Sequence, residues 1–279
     1  MDSVPFSRAV EVTPVGPGGS GRFRAELLRA WEADGAKQHG GVLLALSTSA
    51  ALAGLEAGVG PISGWQPLAV SVAYVRAGST GGAEVTTEVL GVDAETGVAV
   101  VRSTLAQGGE VLLDTTVTAG RLPAECEPPP ASASSMPPAP PPELLERALS
   151  ATGPPLATAC EVVIDPSTTA YRRKERAEPA MRGWVRPRGE EPDVLFALFA
   201  GDILPTGLFN FGLLGWAPTV QLTALLRAAP APGWLRVQTE TRSISGGWFD
   251  EDVSVFDSSG RLVCQARQLA RSPRSRNRA

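Results

Sequence analysis

Self-similarity within the chain constrains its fold more than any single motif. Shifted by 151 residues, QPLAVSVAYVRAGSTGG (66–82) falls over APTVQLTALLRAAPAPG (217–233), placing Pro67 on Pro218, Arg76 on Arg227 and Gly82 on Gly233. The same shift lays EVLLDTTVTA (110–119) over RLVCQARQLA (261–270), and VTTEV (85–89) meets VQTET (237–241) at a shift of 152. Identity is low, but strands and turns keep one order at nearly one register, which points to an internal duplication. Between the copies runs LPAECEPPPASASSMPPAPPP (122–142), too rich in proline for a helix or a central strand and expected to be an extended connector. The chain therefore divides into a first unit (1–121), a linker (122–145), a second unit (146–271) and a basic tail (272–279) expected to be disordered.

Each unit reads as a helix followed by a strand meander. The helices are HGGVLLALSTSAALAGLEAG (39–58) and EPDVLFALFAGDILPTGLF (191–209). Period-two runs follow at 67–76, 83–91, 97–106 and 110–119, and again at 218–227, 234–242, 249–257 and 261–270. Further strands are expected near 7–14, 20–30, 158–165 and 181–187. Two long helices with meanders wrapped over them make an α+β arrangement. With 43% hydrophobic and 19% charged residues the chain reads as soluble and globular, and a net charge of −4 favours neither nucleic acid nor an anionic membrane. No leader and no apolar run near 20 residues is read, so a cytoplasmic location with no membrane partner is expected. Cys126, Cys160 and Cys264 lack metal or redox spacing. Walker, dinucleotide and G-x-S-x-G motifs are absent, so neither metal nor cofactor is expected. Asp250, Glu251 and Asp252 are adjacent on a strand and point to alternate faces, which argues against a shared metal.

Where the copies disagree, function has room. Leu68, Val70, Val72 and Tyr74 form one strand face in the first copy; the shift sets Thr219, Gln221, Thr223 and Leu225 against them. On the last strand Gln268 replaces Val117 within a face of Leu262, Cys264, Ala266 and Ala270. A buried amide needs partners, so this is the pattern of one polar pocket in a pseudo-symmetric protein; a sheet edge facing solvent is the alternative for Thr219 to Thr223. Asp202 is an isolated carboxylate in an apolar stretch, suited by burial to be a general base, or else the cap of a short helix starting near Ile203. His39, the single histidine, precedes Gly40 and Gly41 at a helix start. It reads as an acid/base group or a polar entry residue, and the two glycines let a ligand approach free backbone N–H groups.

These stretches resemble the TesB-like acyl-CoA thioesterases, through QHGGVLLAL, AGDILP, WAPTVQLTALLR and GGWFDEDVSVFDSSGRLVCQARQLAR. The resemblance implies a double hotdog, in which two long central helices are each wrapped by a curved antiparallel sheet. It also implies an Asp, a Thr and a Gln that hold the hydrolytic water, matched here by Asp202, Thr219 and Gln268. That water becomes the expected partner of the Gln268 amide. His39, Gly40, Gly41, Gln221 and Thr223 are the expected substrate-binding residues, and an acyl-CoA or acyl-carrier thioester the expected substrate. The resemblance further suggests a homodimer. His39 departs from the family, where another polar residue, often Asn, precedes the Gly-Gly pair. It opens two alternatives: a dehydratase, hydratase or isomerase using His39 with Asp202, or a non-catalytic acyl-CoA binding protein.

Overall fold

Each copy lays its meander over a helix, and the two meanders join edge to edge into one antiparallel sheet. This computed structural model describes residues 4–16, 21–33, 35–59, 64–123, 134–150 and 154–273. The first copy contains α1 (Phe6–Ala9), β1 (Thr13–Pro14), β2 (Arg22–Leu27), α2 (Gly40–Val59), β3 (Gln66–Tyr74), β4 (Gly81–Asp93), β5 (Val98–Gln107) and β6 (Glu110–Gly120). The second contains α3 (Pro142–Ser150), α4 (Leu156–Ala159), β7 (Cys160–Ile164), β8 (Ala180–Pro187), α5 (Val194–Ala200), β9 (Thr219–Leu226), β10 (Leu235–Glu240), β11 (Ile244–Ser245), β12 (Trp248–Phe256) and β13 (Leu262–Arg271). The sheet runs β1-β2-β4-β5-β6-β3-β9-β13-β12-β10-β8-β7, with β11 on β12. The eight meander strands lie where period-two alternation predicts them. The run near 7–14 does not: it opens as α1, whose Phe6 and Ala9 share one buried face, and only Thr13–Pro14 pairs as a strand.

Helix α2 carries one charged residue, Glu56, in 20, and is long and apolar enough by length and composition to cross a membrane. That corrects the reading that no apolar run approaches such a length. Here β3, β4, β5 and β6 wrap it, and most of it is buried. Its inward Ser47 is satisfied by the hydroxyls of Ser103 and Thr115.

The second helix is a correction. Instead of one long helix over 191–209, α5 covers only seven residues, and a 3-10 turn at Gly207–Phe211 follows a break. Asp193 starts α5 by accepting from Phe196 N–H (2.7 Å). Gly201 is its C-cap, and Pro205 lacks the N–H a continuing helix would need. The later turn is capped by Thr206, which accepts from Leu208 N–H (3.2 Å), not by Asp202. One long helix and one short one therefore replace the expected two long ones.

At the seam β3 pairs with β9 from Ala69↔Leu225 to Ala73↔Gln221, and the Ser71 and Thr223 hydroxyls hydrogen-bond at 3.0 Å. Ser71 facing Thr223 sets the local correspondence at 152, one more than the sequence shift. Val70 and Val72 thus match Leu222 and Ala224, all four buried. Gln221 and Thr223 point to the exposed outer face, so they do not replace buried hydrophobes. A slip of one residue inverts every side chain of a strand. On β13 the correspondence returns to 151: Val117 pairs with Val70, and Gln268 with Leu222.

Both copies share one core, in which Phe6, Trp31, Phe196 and Phe199 interlock with centroid distances of 5.0–5.6 Å. The described end of the linker is anchored to the second copy. Trp184 Nε1 donates to the Pro137 carbonyl (2.8 Å) and Arg236 to that of Met136 (2.9 Å). Cys160 and Cys264 are buried free thiols; Cys126 and positions 274–279 lie outside the described residues.

Candidate active site

The end of α5, the start of α2 and the inner faces of β9, β12 and β13 converge on a cavity of about 930 Å³. His39, Gly40, Asp202, Thr219 and Gln268 all line it, together with Tyr74 and Glu251.

Asp202 follows the Gly201 cap, its N–H donating to the Phe199 carbonyl (3.0 Å). The glycine pair makes room for it. A Cβ on Gly40 would stand 2.9 Å from Asp202 Oδ2, and one on Gly41 would stand 2.9 Å from the Phe199 carbonyl and 3.2 Å from Asp202 Cβ. Burial raises the Asp202 pKa to about 7, the negative charge of Glu251 adds to the rise, and the Gly41 N–H opposes it. A group titrating there is matched to base catalysis near neutrality.

His39 Nδ1 lies 4.0 Å from Asp202 Oδ2 and accepts from the Gly41 N–H at 3.1 Å. Burial lowers its pKa to about 4, so the ring is neutral near pH 7 and carries its proton on Nε2. The pair is not an ion pair. Tyr74 donates to the Gly40 carbonyl (3.2 Å), and burial together with Asp202 keeps its phenol protonated.

Opposite Asp202 a chain of hydrogen bonds crosses three strands. Thr219 Oγ1 donates to Gln268 Oε1 (2.5 Å), and Gln268 Nε2 donates to Glu251 Oε2 (2.7 Å). The Gly207 N–H donates to Glu251 Oε1 (3.0 Å). The amide whose partner was in question is held at both ends by protein groups, leaving one N–H uncommitted. Gly41 abuts Asp202, its N–H already engaged, while Gln221 and Thr223 remain on the outer face. Glu251 is the group sequence reading missed. Val101 pairs with Val117 and Glu251 with Gln268, so the repeat comparison carried one strand further places a buried carboxylate over a valine. Among the described residues no three His, Cys, Asp or Glu side chains cluster as metal ligands.

Two family models match: the acyl-CoA thioesterase N-terminal domain over residues 27–120 and the acyl-CoA thioesterase C-terminal domain over 123–272. A protein of Mycobacterium tuberculosis, itself uncharacterised, is 38% identical over 271 residues, covering 90% of this chain and 91% of its own. The crystal structure of a putative thioesterase II from Thermobifida fusca superposes with a TM-score of 0.82 at 31% identity, covering 98% of this chain and 99% of that one. The acyl-CoA thioesterase II TesB2 of Mycobacterium marinum shares the fold at a TM-score of 0.62 and 16% identity, over 96% of this chain and 97% of its own. With both domain models matched in order across one hotdog sheet, the chain belongs to the acyl-CoA thioesterase family.

Proposed function

We propose that the protein hydrolyses acyl thioesters, with Asp202 as general base and Thr219 and Gln268 orienting the water. The observation that carries this reading is the placement of a carboxylate titrating near 7 in the same cavity as the Thr219–Gln268 pair. Asp202 takes a proton from the water as its oxygen attacks the thioester carbonyl carbon. Collapse of the tetrahedral adduct breaks the C–S bond, and the leaving sulfur takes the proton back from Asp202, giving carboxylic acid and thiol. The N–H of Gly40, the first of α2, is the backbone group suited to polarise the carbonyl, because that of Gly41 is bonded to His39. Acyl-CoA is the substrate in this reading, with acyl-carrier thioesters as the competing class.

Thiol release from a panel of acyl-CoAs, by wild type and Asp202→Asn, tests it. Loss of roughly 100-fold or more in kcat is expected, the range a general base supplies; unchanged turnover would remove Asp202 from the mechanism. The 4.0 Å approach of His39 to Asp202 favours one second reading, a dehydratase or hydratase using that pair. With Nδ1 accepting from Gly41, however, His39 offers a proton on Nε2 and no lone pair to act as a base. Product mass separates the readings: released CoA for hydrolysis, gain or loss of water on an intact thioester for the other.

A further inference from the structure

We propose that Glu251 is a positioning residue that gives the Gln268–Thr219 hydrogen-bond chain its direction. The inference rests on the reading that a water in this cavity attacks the substrate. A carboxamide is nearly symmetric in shape, so only its partners decide which end faces which way. Here one end meets Glu251, whose pKa is raised by burial, while its two oxygens accept from the Gly207 N–H and the Gln268 amide and the hydroxyls of Thr239 and Thr206 flank it, all favouring the ionised form. A carboxylate surrounded by donors can only accept, so it demands the N–H end of Gln268 and repels its carbonyl. The carbonyl is thereby turned to Thr219, whose hydroxyl spends its single proton on it.

This polarity matters at the water. A Thr219 oxygen that has donated its proton inward has only lone pairs to offer. It accepts one water proton while Asp202 accepts the other, and both acceptors raise the nucleophilicity of the water oxygen. With the amide reversed, Gln268 would donate to Thr219, and the Thr219 hydroxyl would donate to the water, engaging one of its two lone pairs and leaving one water proton without this acceptor. Glu251 also faces Asp202 and adds a second negative charge beside it. Of the other titratable groups, His39 at the start of α2 and Tyr74 on β3 stand by Asp202 and are neutral, while Lys37, Arg76 and Tyr171 line the same cavity. The first copy shows that the fold does not need this carboxylate, because Val101 and Val117 occupy the matching pair of positions.

Glu251→Gln keeps the shape and removes the charge. Against an acyl-CoA that wild type hydrolyses, kcat should fall roughly 10- to 100-fold, the usual worth of a hydrogen bond to a charged group, with KM little changed. The acid limb of the kcat/KM–pH profile should move to lower pH, because Asp202 loses a like charge. Glu251→Asp retains the charge but draws back from Gln268, so kcat should fall while the limb stays at the wild-type position. Wild-type kcat together with an unmoved limb in Glu251→Gln would overturn the proposal. Should that variant not fold, wild-type kcat in Glu251→Asp would do the same. The base reading has its own check in Asp202→Asn. If wild type turns over no thioester, the Gln268 side-chain amide resonance still decides the role of Glu251. It should be shifted and slow to exchange in wild type and lose both properties in Glu251→Gln; an unchanged resonance would overturn the proposal.

Discussion

At the scale of single residues the site is a contest between burial and charge. Asp202 stands in an apolar pocket beside another carboxylate, so its proton is held to about pH 7. Activity that needs the ionised base should therefore rise with pH through about 7, which a kcat/KM profile checks. Stability moves the other way. A carboxyl whose folded pKa lies above its unfolded value stabilises the fold fully below the unfolded value, and loses that contribution as pH rises through the folded one. Asp202→Asn should accordingly raise Tm at pH 8, by linkage of order 2–4 kcal/mol, and the gain should vanish toward pH 4. Asp202 and Gln268 were legible as candidates because each is a polar residue in an apolar neighbourhood. Glu251 was not, because alternation along the strand says only that it takes the opposite face from Asp250 and Asp252, not which face is inward. Only the strand pairing shows that the middle one faces inward.

At the scale of elements, two short connections build the site. Ending α5 at Gly201 frees Asp202 to turn into the cavity, and the tight approach of α2 holds it there. Gly41→Ala would drive a Cβ against the Phe199 carbonyl, a backbone group that cannot step aside. We expect a loss of about 1–3 kcal/mol, typical of overpacking, with a larger fall in activity, read by thermal melts and thiol release. Gly54→Ala, whose Cβ would collide with the Thr87 side chain on β4, should destabilise comparably and leave the pH profile unmoved. The sequence predicts the meander strands well, since alternation is a local property. It predicts the second helix badly: an apolar run over 191–209 looks continuous, while a glycine and a proline inside it stop the helix beside Asp202.

At the scale of the whole molecule the two copies share one sheet and one main core. Phe6 and Trp31 of the first copy pack against Phe196 and Phe199 of the second, and β3 is hydrogen-bonded to β9 across the seam. Phe196→Ala should cost about 3–5 kcal/mol, as for other buried aromatics, and lower the melting of both copies together, seen as a single shifted calorimetric transition. Two separate transitions would show that the seam does not couple them. The duplication, the order of strands and the helix-plus-meander plan are determined by the sequence itself, because periodicity and turn residues act within a few positions of the chain. The register of the seam is decided only in three dimensions. β3 and β9 correspond at 152, with matching bulges at Leu68 and Val220, whereas β6 and β13 correspond at 151, the difference being absorbed in the connections between the strands. That single residue sends Gln221 and Thr223 out to solvent and keeps Gln268 inside, within reach of Glu251 and Thr219. Sequence alone gives each strand its two faces, but which one turns inward depends on how distant strands pair.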